Sequence, residues 1–154
     1  CRNASIDINR IIDFLLMAKK NTYAAANNKA ESCRMNSQDY RYEDKNGFTY
    51  LDSYLGGECF AGEEAVWLHE KPVWSMNYAG RVIGENFSGD FLKEVLMEVP
   101  ANLPFRGPEI YTKGDYHYHC KADGGFVWFQ GYEEIFYMNE KIYDCYFHGG
   151  TIRQ

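Results

Sequence analysis

The order of elements predicts an α+β fold, with two tandem helix-plus-antiparallel-strand repeats forming a single domain of pseudo-two-fold symmetry. Three observations carry this. The chain reads helix, strands, helix, strands. The connections between strand patterns are too short for the crossovers that parallel pairing needs. A motif, Phe60-x-Gly62-x-Glu64-x-Val66-Trp67, also returns 69 residues later as Phe129-x-Gly131-x-Glu133-x-Ile135-Phe136. The same offset carries Val73-Trp74 onto Ile142-Tyr143, Tyr78 onto Phe147 and Gly80 onto Gly149, while Gly56-Gly57 meets Gly124-Gly125 after a one-residue slip. Constant spacing across glycine, glutamate and aromatic positions is the signature of an internal repeat. Repeat 1 covers about 5–85 and repeat 2 about 86–152, inside one domain of 154 residues.

Taken in order, Ile8, Ile11, Ile12, Leu15 and Leu16 recur at helical spacing, with Ser5 or Asp7 as cap and an end near Asn21. Residues 27–38 are polar and read as a loop. From Tyr40 the period changes to two: Tyr40-Arg41-Tyr42, Phe48-Thr49-Tyr50 and Val66-Trp67-Leu68 read as strands. Asn46-Gly47, Gly56-Gly57 and Lys71-Pro72 are the turn signals between them, and Asn46-Gly47 suits a tight hairpin. Ser88 caps a second helix through Phe91, Leu92, Val95, Leu96 and Val99, which Pro100 stops. Pro100 to Pro108 is a turn-rich connection. Four further strands follow, at 116–120, 126–129, 135–138 and 142–147.

Composition narrows the function class. The chain carries 25% charged and 45% hydrophobic residues, enough to build a core, and no apolar run approaches the roughly 20 residues of a membrane helix. A net charge of −6 argues against direct nucleic-acid binding, which needs a basic face. The cluster of Lys19, Lys20, Lys29 and Arg34 reads as a solvated helix end. Five cysteines, an odd number without CxxC spacing, read as reduced thiols of a cytoplasmic protein. Cys1 is not an initiator methionine. A mature lipoprotein begins with cysteine, but the helical pattern starts too soon to leave a tether, so a trimmed chain or a domain cut from a longer one is the expectation.

Three constellations bear chemistry. Glu64 and Glu133 hold equivalent places in the two halves, and paired carboxylates are the equipment of general acid–base work. They are the catalytic candidates of a hydrolase-like reading. The structural alternative has each accept hydrogen bonds from its own turn or pair with an arginine. His117-x-His119 puts two rings on one strand face, but no metal motif completes them, and neither metal nor cofactor is expected. Cys120 and Cys145 read as core thiols rather than nucleophiles. The aromatic excess, 17% of the chain, is the third. On the last strand of each half, Trp74, Met76 and Tyr78 share one face, as do Tyr143, Cys145 and Phe147. Asn77, Tyr146 and His148 lie on the other face, with Ser75, Ala79 and Asp144. Arg106, in the Pro-framed turn Phe105-Arg106-Gly107-Pro108, is expected to pair with an acidic loop rather than clamp an anion.

Several of these segments together resemble a known family. Tyr54-Leu55-Gly56-Gly57-Glu58-x-Phe60-x-Gly62-x-Glu64, Lys71-Pro72-Val73-Trp74-Ser75-Met76-Asn77-Tyr78-x-Gly80, Phe105-Arg106-Gly107-Pro108 and Phe147-His148-Gly149-Gly150 look like those of a bacterial domain-of-unknown-function family. Its members occur alone or behind an XRE-type helix-turn-helix segment. The resemblance runs from about Phe14 to Ile152. It implies a bacterial cytoplasmic protein and a sensor or regulatory role in fused members, and it supplies no catalytic residues. No helix-turn-helix fits before residue 5, so DNA binding would belong to a fused segment.

The leading expectation is a small-molecule-binding or regulatory module with a pocket lined by Trp74, Asn77, Tyr78, Tyr143, Tyr146 and His148. The alternatives are the hydrolase using Glu64 and Glu133, and an interaction module whose exposed aromatics bind a partner or a second copy as a homodimer.

Overall fold

The computed structural model describes residues 7–22 and 28–154. The alternative cap Ser5 and Cys1 lie outside them. Helix α1 spans Ile8–Lys20, with the Asp7 side chain accepting from the Asn9 amide at 3.0 Å. Lys19 and Lys20 sit in its last turn, where they oppose the negative end of the helix dipole. Strands follow at β1 (Lys29–Ala30), β2 (Gln38–Glu43), β3 (Phe48–Gly56), β4 (Cys59–Leu68) and β5 (Lys71–Val82). Helix α2, Gly89–Met97, begins at Ser88, whose hydroxyl accepts from the Phe91 amide. Strands β6 (Ile110–Lys113), β7 (Tyr116–Gly125), β8 (Trp128–Tyr137) and β9 (Glu140–Thr151) complete the order.

All nine strands form one open antiparallel sheet, in the order β1-β2-β3-β4-β5-β9-β8-β7-β6. Each half is therefore a meander, and the halves meet edge to edge where β5 pairs with β9. In that ladder Tyr78 lies opposite Phe147, the residue 69 positions after it. The same spacing recurs along the strands. β4 and β5 each lie 69 residues before β8 and β9. A bulge between Val66 and Trp67 has its counterpart between Ile135 and Phe136. The first bulge faces Pro72, which has no N–H to give a ladder. Both tight turns use two consecutive left-handed residues, His69-Glu70 and Met138-Asn139. That twist matches antiparallel strands.

The repeated glycines have a packing reason. Gly62 faces Tyr78 and Gly80 faces Phe60; in the second half Gly131 faces Phe147 and Gly149 faces Phe129. Each ring lies over the glycine across from it. A Cβ at Gly62 would stand 2.5 Å from the Tyr78 hydroxyl, and one at Gly131 would stand 2.2 Å from the Phe147 ring. The motif spacing is thus the footprint of two reciprocal aromatic-over-glycine pairs per half, a device that restores packing where a strand lacks a side chain.

Both helices contribute to one core with the same face of the sheet. Ile11, Phe14, Leu15 and Ala18 of α1 and Phe91, Leu92, Val95 and Leu96 of α2 join Tyr50, Val66, Trp74, Met76, Tyr118, Ile135, Tyr143 and Phe147. Phe14 stacks on Phe48 at 4.9 Å, and Phe105 on Phe129 at 3.9 Å. Burying each such side chain contributes about 1.5–3 kcal/mol before entropy is counted. No helix among the described residues is long and apolar enough to cross a membrane.

Four expectations change. The Phe60–Glu64 motif lies inside β4 rather than ahead of a strand. Phe126-Val127 form a turn, because β7 runs through Gly124-Gly125 and β8 starts at Trp128. Lys71-Pro72 open β5 instead of making the turn, which falls at His69-Glu70. The polar 27–38 segment also carries the short β1 within its described part.

Candidate functional site

Along β3 the residues Phe48, Tyr50 and Asp52 alternate onto the core face, and all three are buried. Strand alternation thus drives a carboxylate into the core behind two aromatics. Across the ladder, Asp52 faces Glu64 of β4, which is buried as well. Glu64 is neutralised: Lys19, from the last turn of α1, donates to its Oε1 at 2.7 Å, and the Tyr50 hydroxyl donates to the same oxygen. The Lys19 ammonium also donates to the Phe105 carbonyl at 2.7 Å. A buried ammonium has its hydrogen bonds met in this way.

The second half builds the same unit with different parts. Glu133 of β8 is wholly buried, and Arg106, just after Phe105, donates its Nε–H to Glu133 Oε1. Arg106 Nη2 reaches the Tyr143 hydroxyl at 3.4 Å, and its guanidinium stands 5.3 Å from the Tyr78 ring centroid. Tyr118 holds the turn by accepting from the Gly107 amide at 3.0 Å. Gly107 is required there, since a Cβ would lie 2.5 Å from Val95 Cγ1. Glu133 Oε2 has no hydrogen-bond partner among the described residues.

Besides the cation, the two halves differ in what faces the glutamate. The cross-strand neighbour of Glu64 is Asp52, whereas the neighbour of Glu133 is Cys120. Two ion pairs, Lys19–Glu64 and Arg106–Glu133, leave Asp52 as the odd charge. No cationic side chain lies within ion-pair distance of it among the described residues, and its one hydrogen bond comes from the Tyr78 hydroxyl. Burial, reinforced by the facing Glu64 carboxylate, pushes the Asp52 carboxyl up from 3.8 to about 7; Tyr78, Lys19 and Arg106 hold it back. Burial, with Asp52 and Glu64 nearby, raises the Tyr50 and Tyr78 phenols well above 10, so both stay donors.

Asp52 is reachable. A pocket of about 190 Å³ opens between β3–β5 and the start of α2, with Asp52, Tyr78 and Arg106 as its polar lining. Tyr54, Phe60, Val82, Phe87 and Leu92 form its walls, and Gly56-Gly57 its rim. A smaller polar cavity of about 30 Å³, room for a water or two, adjoins Lys19, Thr22 and Glu64 and shares Asp52 and Arg106 with the pocket.

The residues expected to line a single pocket divide. Trp74, Tyr78 and Tyr143 lie on the helix-covered face, Trp74 and Tyr143 wholly buried in the core. Asn77, Tyr146 and His148 lie on the opposite face, where Tyr146 is 63% exposed. Successive side chains of a strand point to opposite sides, which parts the two sets, and of the six only Tyr78 lines this pocket. Glu64 and Glu133 are not brought together either. β5 and β9 stand between their strands, three interstrand steps or about 14 Å. Each carries its own cation instead. Arg106 does pair with a carboxylate, but on a strand rather than in a loop. Burial pushes the Cys120 and Cys145 thiols up to about 12, with Glu133 adding to the effect, so both are poor nucleophiles. His119 lies 3.6 Å from Glu134, and no group of three His, Cys, Asp or Glu converges among the described residues. Sequence reasoning missed Asp52 and Lys19. The signal for Asp52 was its parity with Phe48 and Tyr50; for Lys19 there was none, because a lysine at a helix end normally faces water.

The model of a family described as a domain of unknown function, DUF5680, matches residues 52–152, and the chain belongs to that family. The match begins at Asp52 itself. No curated protein and no solved structure matches the chain.

Proposed function

We propose that this protein is a small-molecule-binding module whose site is the pocket over Asp52, and that it serves as a sensor or regulatory element. One observation carries the reading: a buried carboxylate with no cation of its own lies in the floor of a pocket open to solvent. A charge kept in that state costs stability, and the cost is offset when a ligand supplies the missing partner. The pocket falls below the ~300–1,000 Å³ of drug-sized sites, so the ligand is compact. Separation of Glu64 from Glu133 weighs against the hydrolase that would use them as a pair.

The regulatory part of the reading rests on the resemblance carried by the sequence motifs, which implies bacterial cytoplasmic proteins, some with a helix-turn-helix ahead of this domain. Within the fold, we infer descent from a duplicated helix-plus-meander unit. The shared 69-residue spacing, the paired bulges and the reciprocal glycine–aromatic seats support it. Asp52 then marks where one copy diverged to take a ligand.

Thermal-shift screening of a metabolite library, with native mass spectrometry of the hits, tests the reading. Gly57→Leu is the control variant: Gly57 lines the rim, and nothing lies within 4 Å of a Cβ there. The expected result is hits on the wild type that Gly57→Leu loses at unchanged fold. A library without hits, or hits indifferent to Gly57→Leu, would sink it.

A further inference from the structure

We propose that the ligand of this pocket carries a primary ammonium group that seats on Asp52 beneath a ring of aromatic walls. This rests on the pocket reading above and names the chemistry the pocket takes.

Charge counting makes the argument. Lys19 and Glu64 cancel, and so do Arg106 and Glu133, leaving one negative charge on the pocket floor. A ligand carboxylate or phosphate would meet Asp52, and the one cation lining the pocket among the described residues, Arg106, already has its charge balanced by Glu133. A neutral ligand would leave Asp52 unpaired as a carboxylate, or neutralised by a proton alone. An ammonium supplies the complement, with N–H donors for a carboxylate that accepts only one hydrogen bond among the described residues. Tyr54, Phe60, Tyr78 and Phe87 line the same pocket, and aromatic faces attract a cation by their quadrupole while Leu92 and Val82 suit an apolar body.

The charged and titratable groups acting on Asp52 are Tyr78 from β5, Glu64 from β4, Lys19 from α1, Arg106 from the loop after α2 and Tyr50 from its own strand. Without ligand, a proton competes for the same carboxylate, whose titration lies near neutrality. Binding a cation then requires the proton to leave, so affinity rises with pH up to about 7 and levels above it.

Matched pairs of ligands decide the matter: isoamylamine against isovalerate, benzylamine against benzoate, cyclohexylamine against cyclohexanecarboxylate. Calorimetric titration at pH 8 is expected to detect at least one amine and no matched acid. The bound amine should weaken about tenfold at pH 6, where roughly a tenth of Asp52 is ionised. Asp52→Asn, which keeps the shape and the acceptor for Tyr78, should lose amine binding, as should Gly57→Leu. Binding of an acid in preference to its amine would overturn the proposal, as would silence from all three amines, or an amine held equally by Asp52→Asn. In those cases, library hits that Gly57→Leu abolishes would leave the pocket reading standing without the ammonium.

Discussion

At the scale of the residue, Asp52 connects stability to pH in an unusual direction. Its carboxyl titrates near 7 in the fold against 3.8 in an unfolded chain, so the folded state holds the proton more tightly. The contribution is fully present below about 4 and is lost as pH rises through about 7. At ~1.4 kcal/mol per pH unit the interval sets an upper limit of about 4 kcal/mol, lowered by relaxation around a buried group. Asp52→Asn removes the penalty, so the variant should melt higher than wild type at pH 8 and equal to it near pH 4. Thermal unfolding followed across that range checks this; a variant less stable at pH 8 would show that the charge is compensated. A second residue-scale prediction concerns Gly131. Alanine there drives a methyl into the Phe147 ring and stands 2.8 Å from the Lys121 carbonyl, so Gly131→Ala should cost about 1–3 kcal/mol in denaturant unfolding. Gly57→Ala, with open space around its Cβ, should cost nothing measurable.

At the scale of the element, α1 is fixed to the sheet by its apolar stripe and by Lys19, which spans from the last helical turn to Glu64 and to the Phe105 carbonyl. Lys19→Met keeps the stem and deletes the charge, stranding Glu64 beside Asp52. Breaking a buried pair in this way costs about 3–5 kcal/mol, far more than a surface lysine. The double variant Lys19→Met/Glu64→Gln should recover much of the loss; urea midpoints of the two variants give the comparison, and equal losses would mean the pair is energetically idle. The helices themselves were legible because their apolar spacing and caps, Asp7 and Ser88, are local signals. Strand existence was legible too, from period-two aromatics. Strand lengths were not, because the glycines inside β4, β5, β8 and β9 look like breaks until the ring across each one is known. The site was legible only in part. Tyr78 was named and Arg106 was given its kind of partner, but the pocket depends on which strand faces Asp52, and no local pattern contains that register.

At the scale of the whole molecule, the β5–β9 seam decides how the halves depend on each other. Nine residue pairs cross it, from Trp74–Thr151 to Val82–Tyr143, and the core on one side of the sheet draws on α1, α2 and strands of both halves. The buried charges cross it as well: Lys19 of the first half touches the Phe105 carbonyl of the second, and Arg106 of the second lines the pocket built on Asp52. Neither half can bury its aromatics alone, and each would expose β5 or β9 as a long unpaired edge. The link between them, at 83–87, passes over the surface with no strand or helix of its own. Fragments 1–84 and 85–154 should therefore lack cooperative unfolding when separate and regain it on mixing, with recovery of near-ultraviolet circular dichroism from Trp74 and the stacked rings. The restored complex should also regain the Gly57-sensitive ligand hits, because its pocket needs Asp52 from one fragment and Arg106 from the other. A first fragment that melts cooperatively and binds those hits alone would mean that the seam joins two independent units rather than completing one.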